Sequence, residues 1–313
     1  MSFLNKEIQV RIDKKLNELA KLRPIQSSLV NKLREQFALE MTYNSNAIEG
    51  NSLTQKETFL VINEGLTIKG KSFKDHLEVK DHYEALEYLH EFMRKDKKQT
   101  FTEVTLRAFH HLVLRETESK EAGKYRTGNV IITGSAHNPP EAYEVPAKMR
   151  ELFEWIRRNK NKIHIIEMSA IVHHKISFIH PFADGNGRTA RLIMNLLLMQ
   201  KGFPMVVILN NDRKKYYDTL SKADKGEYVS FVRFIAQAAE RSLNIYLKAL
   251  APAKLKSKKF FPLSQIAKQT PYSEKYLNLL SRLGKIEAHK EGRNWVTSLD
   301  AIKKYREERE RKR

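Results

Sequence analysis

Apolar residues return every three or four positions through nearly all of the first 250 residues, and this period limits the chain's fold more than any other feature. It runs through IQVRIDKKLNELAKL, SLVNKLREQFALEM, HYEALEYLHEFM, VTLRAFHHLVL, MRELFEWIRR, IIEMSAIVHHKISFI, RLIMNLLLMQ and YVSFVRFIAQAAERSLNIYLKAL. Each is expected to be a helix with one face to bury. Pro24, Gly50, Gly70, Gly123, Pro146, Pro181, Gly202 and Pro204 punctuate them. One segment breaks the habit. In TGNVIITGSAHNPPEAYEVP, the β-branched run Val130, Ile131, Ile132, Thr133 leads into Gly134-Ser135, and Asn138-Pro139-Pro140 bars a helix. The expectation is an all-α body carrying a β-hairpin.

With 313 residues the chain can form one large domain or two, and with no cysteine it has neither disulfides nor thiolate metal sites. The opening MSFLNKEIQVRIDKKLNELA puts charge into every turn, unlike a secretory leader, and no apolar stretch nears the ~20 residues of a membrane helix. A soluble, cytoplasmic protein without a membrane partner is expected. The net charge of +20 favours a polyanion, and half of it lies in residues 251–313, which hold 17 Lys/Arg against 7 Asp/Glu. Residues 251–261, APAKLKSKKFF, form a basic linker. Beyond it LSQIAKQT, PYS, EKYLNLLSRLG and IEAHKEGRNWVTS suggest helix, turn, helix and hairpin.

The densest chemistry lies in HPFADGNGRTAR, His180 to Arg191, between two strong helical runs. Pro181 ends the first helix, and DGNG is a turn feeding the N-terminus of the second. Unpaired N–H groups and the positive dipole end make that an anion site, and Gly185 and Gly187 let backbone approach a phosphate. Arg188 and Arg191, three apart, project from one face of the first turn as guanidinium forks. Asp184 repels phosphate unless Mg²⁺ lies between them. His180, with a near-neutral pKa, is suited to take a proton from an incoming hydroxyl. The residues point to a nucleoside polyphosphate with magnesium.

HPFADGNGRTAR resembles, without mismatch, the Fic family signature HPFx[DE]GN[GK]RxxR, and the likeness covers roughly residues 30–250. The resemblance implies a helical Fic fold and AMPylation, the transfer of AMP from ATP to a Ser, Thr or Tyr hydroxyl of a protein. It makes His180 the general base, Asp184 the magnesium ligand, and Gly185, Asn186 and Gly187 the phosphate cradle. Arg188 and Arg191 would grip the outer phosphates. Residues 129–137, with Val130, Ile131, Ile132 and Thr133, would be a flap that pairs with the target's backbone. Tyr217 matches a tyrosine on adenosine in relatives, whereas Asp224 stands where some carry asparagine.

A second resemblance lies in SNAIEG, which matches the family's inhibitory motif [ST]xxxE[GN]. Glu49, next to the helix stop Gly50, is an anion at the dipole's unfavourable end and needs a cation. By the resemblance it pairs with Arg191, four residues after Ser45 on the same helical face, and so blocks the γ-phosphate. In some relatives the same glutamate helps remove AMP.

The implied layout is an N-terminal helical region with the inhibitory motif (1–110), a Fic core (111–250), the linker and a module (262–313) that resembles a winged helix. If that module binds DNA, Ser273, Lys275, Tyr276, Asn278 and Arg282 face the groove, and Lys290, Arg293 and the terminal RERKR meet phosphates. The competing function is then a nucleotide-sensing transcriptional regulator with a silent Fic domain. Transfer of phosphate or phosphocholine is a third reading, and a homodimer is left open. His173 and His174, adjacent and so about 100° apart on a helix, read as core rather than metal ligands, as do His110 and His111. Trp155 and Trp295 read as packing anchors.

Overall fold

The computed structural model describes residues 2–22, 27–95, 101–250 and 259–311. In chain order, α1 (Lys6–Lys21), α2 (Ser27–Ile48), α3 (Gln55–Glu64), α4 (Phe73–Lys95) and α5 (Glu103–Val113) lead to α6 (Val145–Asn159), α7 (Ile165–Ile179), α8 (Asn186–Gln200), α9 (Arg213–Asp224) and α10 (Tyr228–Leu250). The expected all-helical body is present. Helix α3 escaped the periodicity because its apolar face is weak, but the Thr54–Glu57 capping box starts it and left-handed Gly65 ends it.

Two apolar cores meet along α7 and α8. Met168, Val172 and Ile176 join Phe37, Leu86, Phe109, Leu192 and Leu196 in one. Ile166 and Ala170 join Ile8, Ile12, Met194, Phe231 and Ile235 in the other. Both helices are therefore covered on all sides, which fixes the α7–α8 connection from beneath. The first core also runs across the expected boundary at residue 110.

The C-terminal module comprises β1 (Phe261–Pro262), α11 (Leu263–Ala267), α12 (Glu274–Leu283), β2 (Ala288–Glu291), β3 (Asn294–Thr297) and α13 (Leu299–Glu310). Its antiparallel sheet has the order β1-β3-β2, over a small core of Leu263, Ile266, Leu277, Leu280, Ile286 and Ile302. Of the linker expected at 251–261, residues 251–258 lie outside the described residues. The terminal RERKR begins within α13, which Ser298 caps, and residues 312–313 lie outside the described residues.

The module docks on the helical body through polar contacts. Lys15 sits 2.8 Å from both Glu240 and Glu287, and Arg11 donates to Glu240 and, at 3.1 Å, to the Gly284 carbonyl. The Gln237 amide donates to the Ser281 carbonyl at 2.9 Å. Burial alone would raise the Glu240 carboxyl, but Lys15 and Arg11 outweigh it and hold the pKa down at about 2. Among the described residues no helix is long and apolar enough to cross a membrane.

The hairpin expected at 129–137 is absent, since all strands of the described residues belong to the C-terminal module. Around Gly134 the chain turns with a single Ser135 N–H to Ile132 carbonyl bond of 3.1 Å and no ladder. Pro139 and Pro140 remove two donors from the return arm, and an isolated two-stranded hairpin is marginal in any case. Val130 to Ile132 belong to no helix or strand, and Thr133 enters the turn.

Candidate active site

Helix α7 ends at His180, which adopts a left-handed conformation (φ 50, ψ 58) and is alone in positive φ among the described non-glycine residues. That geometry costs on the order of 1 kcal/mol and must be held by its surroundings. Arg126 holds it. Its Nε donates to the His180 carbonyl at 2.8 Å and its backbone N–H to the Pro181 carbonyl at 3.0 Å. The His180 ring donates Nδ1–H to the Ser177 carbonyl at 3.3 Å, which leaves the Nε2 lone pair free to accept a proton. Burial pushes the imidazole pKa below its ordinary value, against the Ser177 bond that supports the charged form.

The turn after Pro181 is pinned by its own backbone. The Asn186 side chain closes on Phe182, accepting its N–H at 3.0 Å and donating to its carbonyl at 2.8 Å. His110 Nε2 donates to the Asp184 carbonyl at 2.9 Å, Nδ1 accepts the Gly123 N–H at 2.9 Å, and the ring stacks on Phe182 at 3.6 Å. Burial lowers the His110 pKa to about 4, so the neutral ring satisfies both partners. Gly185 starts α8 at φ 74, where a Cβ would press on His110 and Val113 at 3.3 Å. Burial favours the neutral Asp184 carboxyl, but Arg188 and the Gly185 N–H outweigh it and keep the pKa below the usual range.

Arg188 and Arg191 leave α8 on the expected side, yet only 2% and 1% of each is exposed. Arg188 meets Asp184 at 3.2 Å and lies 3.5 Å from Glu78, too poorly aligned there for a hydrogen bond. Arg191 donates to the Ser45 hydroxyl at 2.9 Å, the Ser45 carbonyl at 2.8 Å and Glu49 Oε1 at 2.7 Å. Three buried guanidinium nitrogens, Nε and Nη1 of Arg188 and Nη1 of Arg191, have no hydrogen-bond partner. Orphaned charged donors of this kind cost roughly 1–3 kcal/mol each, a cost that an anion placed at the turn would relieve. Glu49 occupies part of that space, because a Cβ on Gly187 would collide with its carboxylate.

Tyr217, expected to meet the nucleoside, is partly exposed, with the Arg213 guanidinium 5.0 Å over its ring. Asp224 is turned to His174 Nε2 at 2.9 Å, whose Nδ1 meets the Tyr228 hydroxyl at 2.9 Å, and His173 meets the Tyr216 hydroxyl at 3.0 Å. Both histidines are buried structural residues, as expected. In the segment expected to be the flap, Ile131 is 90% exposed while Val130 and Ile132 are half-buried.

Residues 100–198 match the family model described as Fic/DOC family. A Fic domain containing signaling protein from Bacteroides thetaiotaomicron superposes with a TM-score of 0.71 at 30% identity, over 77% of this chain and 96% of that one. This chain belongs to the Fic family. A Fic family protein from Desulfovibrio desulfuricans shares the fold across 94% of this chain and 96% of its own, with a TM-score of 0.64 and 22% identity. The protein adenylyltransferase Fic of Nematostella vectensis is 36% identical over 245 residues, 78% of this chain and 56% of that protein. The chain spans about half the length of the curated relatives it matches.

Within this Fic site the structure brings together His180, Asp184, Gly185, Gly187, Arg188, Arg191, Ser45 and Glu49. Asn186 contributes backbone only, since its amide is closed on Phe182. Sequence reasoning missed Arg126, whose Nη1 donates to the Gly128 carbonyl at 3.0 Å and whose Nη2 donates to the Pro140 carbonyl, tying both ends of the exposed segment to His180. His110 is buried, as expected of a core residue, but its bond to the Asp184 carbonyl was not foreseen.

Proposed function

We propose that this chain is an autoinhibited protein adenylyltransferase. The hydroxyl oxygen of a target Ser, Thr or Tyr attacks the α-phosphorus of ATP, the bond from that phosphorus to the bridging β-oxygen breaks, and pyrophosphate leaves. His180 Nε2 takes the hydroxyl proton. Arg188, Arg191 and the N–H groups opening α8 hold the β- and γ-phosphates, for which the orphaned guanidinium nitrogens are suited. Asp184, anionic and partly exposed, is the residue that would hold Mg²⁺. That ion neutralises phosphate charge when bound. Tyr217 lines the nucleoside side, and Val130 to Thr133 offer unpaired backbone to an extended target. The names of the relatives, protein adenylyltransferase Fic, favour this chemistry over phosphate or phosphocholine transfer.

The observation that carries the reading is the 2.7 Å contact of Glu49 with Arg191, completed by Ser45. A triphosphate cannot use Arg191 fully while that pair stands, so the enzyme is read as braked in cis. The test is the intact mass of the Glu49→Gly chain after incubation with ATP and Mg²⁺, compared with Glu49→Gly/His180→Ala. Covalent AMP on the first and none on the second is expected. Label from γ-labelled rather than α-labelled ATP, or none from either, would overturn the assignment.

For the C-terminal module the geometry favours regulation over DNA readout. Lys290, expected to meet phosphates, is ion-paired with Asp212 on the Fic body, and the Tyr276 hydroxyl is tied to that of Tyr305 at 3.0 Å. Lys275, Arg282 and Arg293 remain exposed. A cytoplasmic site of action agrees with the absence of cysteine from the sequence.

A further inference from the structure

Glu40, Asn44 and Ile48 follow at four-residue steps on α2 and form one stripe, and Ser45 and Glu49 lie on the next. The second stripe faces Arg191. The first is gripped from the other side. Arg241 of α10 donates to Glu40 at 2.6 Å, the Asn210 N–H to Asn44 Oδ1 at 2.8 Å, and Arg213 Nε to the Ile48 carbonyl at 2.7 Å. Ile48 ends α2, so its carbonyl is among those without an intrahelical partner, and a guanidinium there also suits the dipole.

These gripping groups are held in turn by the C-terminal module. Arg241 Nε donates to the Lys290 carbonyl of β2 at 3.1 Å, so one guanidinium bridges α2 and the β2–β3 hairpin. The Lys290 ammonium pairs with Asp212, which lies between Asn210 and Arg213. Lys215 and Lys290 both lie over the Trp295 ring of β3, at 5.6 and 6.0 Å. A continuous set of contacts therefore runs from the hairpin, through residues 210–215 and Arg241, to three successive turns of the inhibitory helix.

We propose that the C-terminal module latches the brake. Lys290 and Trp295 form the latch, and Arg241 is a positioning residue that acts through Glu49. Lifting the β2–β3 hairpin from α10 frees the first stripe of α2, loosens Glu49 from Arg191 and opens the phosphate turn to ATP. The latch rests on the reading of Glu49 as the brake, and it gives the docked module a role that needs no DNA.

The experiment uses the full chain with Lys290→Ala, Trp295→Ala and Arg241→Lys, each with Glu49 present and in the Glu49→Gly background. The readouts are AMP labelling and calorimetric affinity for ATP with Mg²⁺. With Glu49 present, each substitution is expected to raise both by roughly 3- to 10-fold, the scale of one ordinary net hydrogen bond. In Glu49→Gly none should change either, because the latch then has nothing to hold. Unchanged labelling and affinity with Glu49 present, beside a strongly labelled Glu49→Gly chain, would overturn the latch and leave the transferase reading standing. Equal changes in both backgrounds would also overturn it, as the mark of a structural role. If Glu49→Gly fails to label, the transferase reading fails, and the affinity readout still decides the latch. Lys290→Ala trims a partly exposed surface lysine outside the module's apolar core and guards against loss of folding in the other two.

Discussion

The turn after Pro181 and the segment at 128–141 both adjoin His180 and are built in different ways. In the turn the backbone is pinned and the donors are held in place: Asn186 closes on Phe182, His110 holds the Asp184 carbonyl, and both arginines are buried against carboxylates with three guanidinium nitrogens left without a hydrogen-bond partner. The segment has one backbone turn bond, an exposed Ile131, and side-chain ties instead of a ladder: Asn129 accepts the Ala142 N–H at 2.8 Å and donates to Glu141, Arg126 holds its ends, and His137 Nε2 meets the Phe178 carbonyl at 2.7 Å. A triphosphate needs donors already aimed, so rigidity on that side lowers the barrier. In the proposed reaction a protein target supplies its own backbone, so a segment without a partner strand suits that side.

The sharpest way to break this contrast is at the residue both sides share. In the Glu49→Gly background, His180→Ala should lower AMP transfer on the order of 10²- to 10⁴-fold, the usual contribution of a general base, with affinity for ATP and Mg²⁺ unchanged. Transfer surviving within tenfold would mean that the base lies elsewhere. Next comes the turn's blocked state. Glu49→Gly should raise transfer about 10- to 100-fold, matching the roughly 1.5–3 kcal/mol of a charged hydrogen bond, and tighten ATP binding measured by calorimetry. Equal rates in the two chains would remove the brake from the account.

Much of the turn was legible because phosphate chemistry demands particular residues at short spacing. His180, Asp184, Gly187, Arg188 and Arg191 all fall within one loop and one helical turn. Helices α7 and α8 were legible from their unbroken apolar runs. Arg126 and His110 were not, because they act on backbone carbonyls, which every residue possesses and no local pattern marks. The hairpin was misread because β-branched propensity in Val130 to Thr133 reports a wish for a partner strand, and here none of the described residues supplies one. Docking of the module was unreadable for a related reason: the pair Lys290 and Asp212 joins positions far apart in the chain, and any lysine could have met any acid.

Arg126 tests whether the two sides are independent. Arg126→Gln removes the fork that ties Gly128, Pro140 and the His180 carbonyl together. In the Glu49→Gly background transfer to protein should fall about tenfold, since small misplacements of reacting groups cost one to two decades, while ATP affinity stays within about twofold. A parallel loss of ATP affinity would show the turn and the segment to be one unit.

The buried imidazoles give a pH signature. Burial lowers His90, His110 and His289 to about 4 and takes His82 and His173 well below their ordinary value. Above about pH 6.5, the ordinary histidine pKa, both folded and unfolded chains carry these rings neutral. Below it the unfolded chain binds more protons, so stability should decline from pH 6.5 towards 4, by up to roughly 1.4 kcal/mol per pH unit for each ring. Glu240, held near 2, begins to weigh only below the ordinary glutamate range. Thermal melts at pH 7.5 and 5 read the effect, and equal Tm values would mean that these rings accept protons in place. Transfer by Glu49→Gly should itself stay level down to about pH 6.5, because His180 is also depressed and remains neutral there.

The smallest effect is expected at Asp224, which separates the nucleoside side from both. A carboxylate that reads the adenine edge would be worth about 1–3 kcal/mol, or roughly 5- to 100-fold between ATP and GTP. The structure points Asp224 at His174 instead, with Tyr228 on that ring's other nitrogen. Asparagine keeps an oxygen acceptor at the same place, so Asp224→Asn should move the ATP-to-GTP preference by less than about twofold in competition labelling of the Glu49→Gly chain. A shift beyond fivefold would mean that Asp224 leaves His174 when nucleotide binds and touches the base itself.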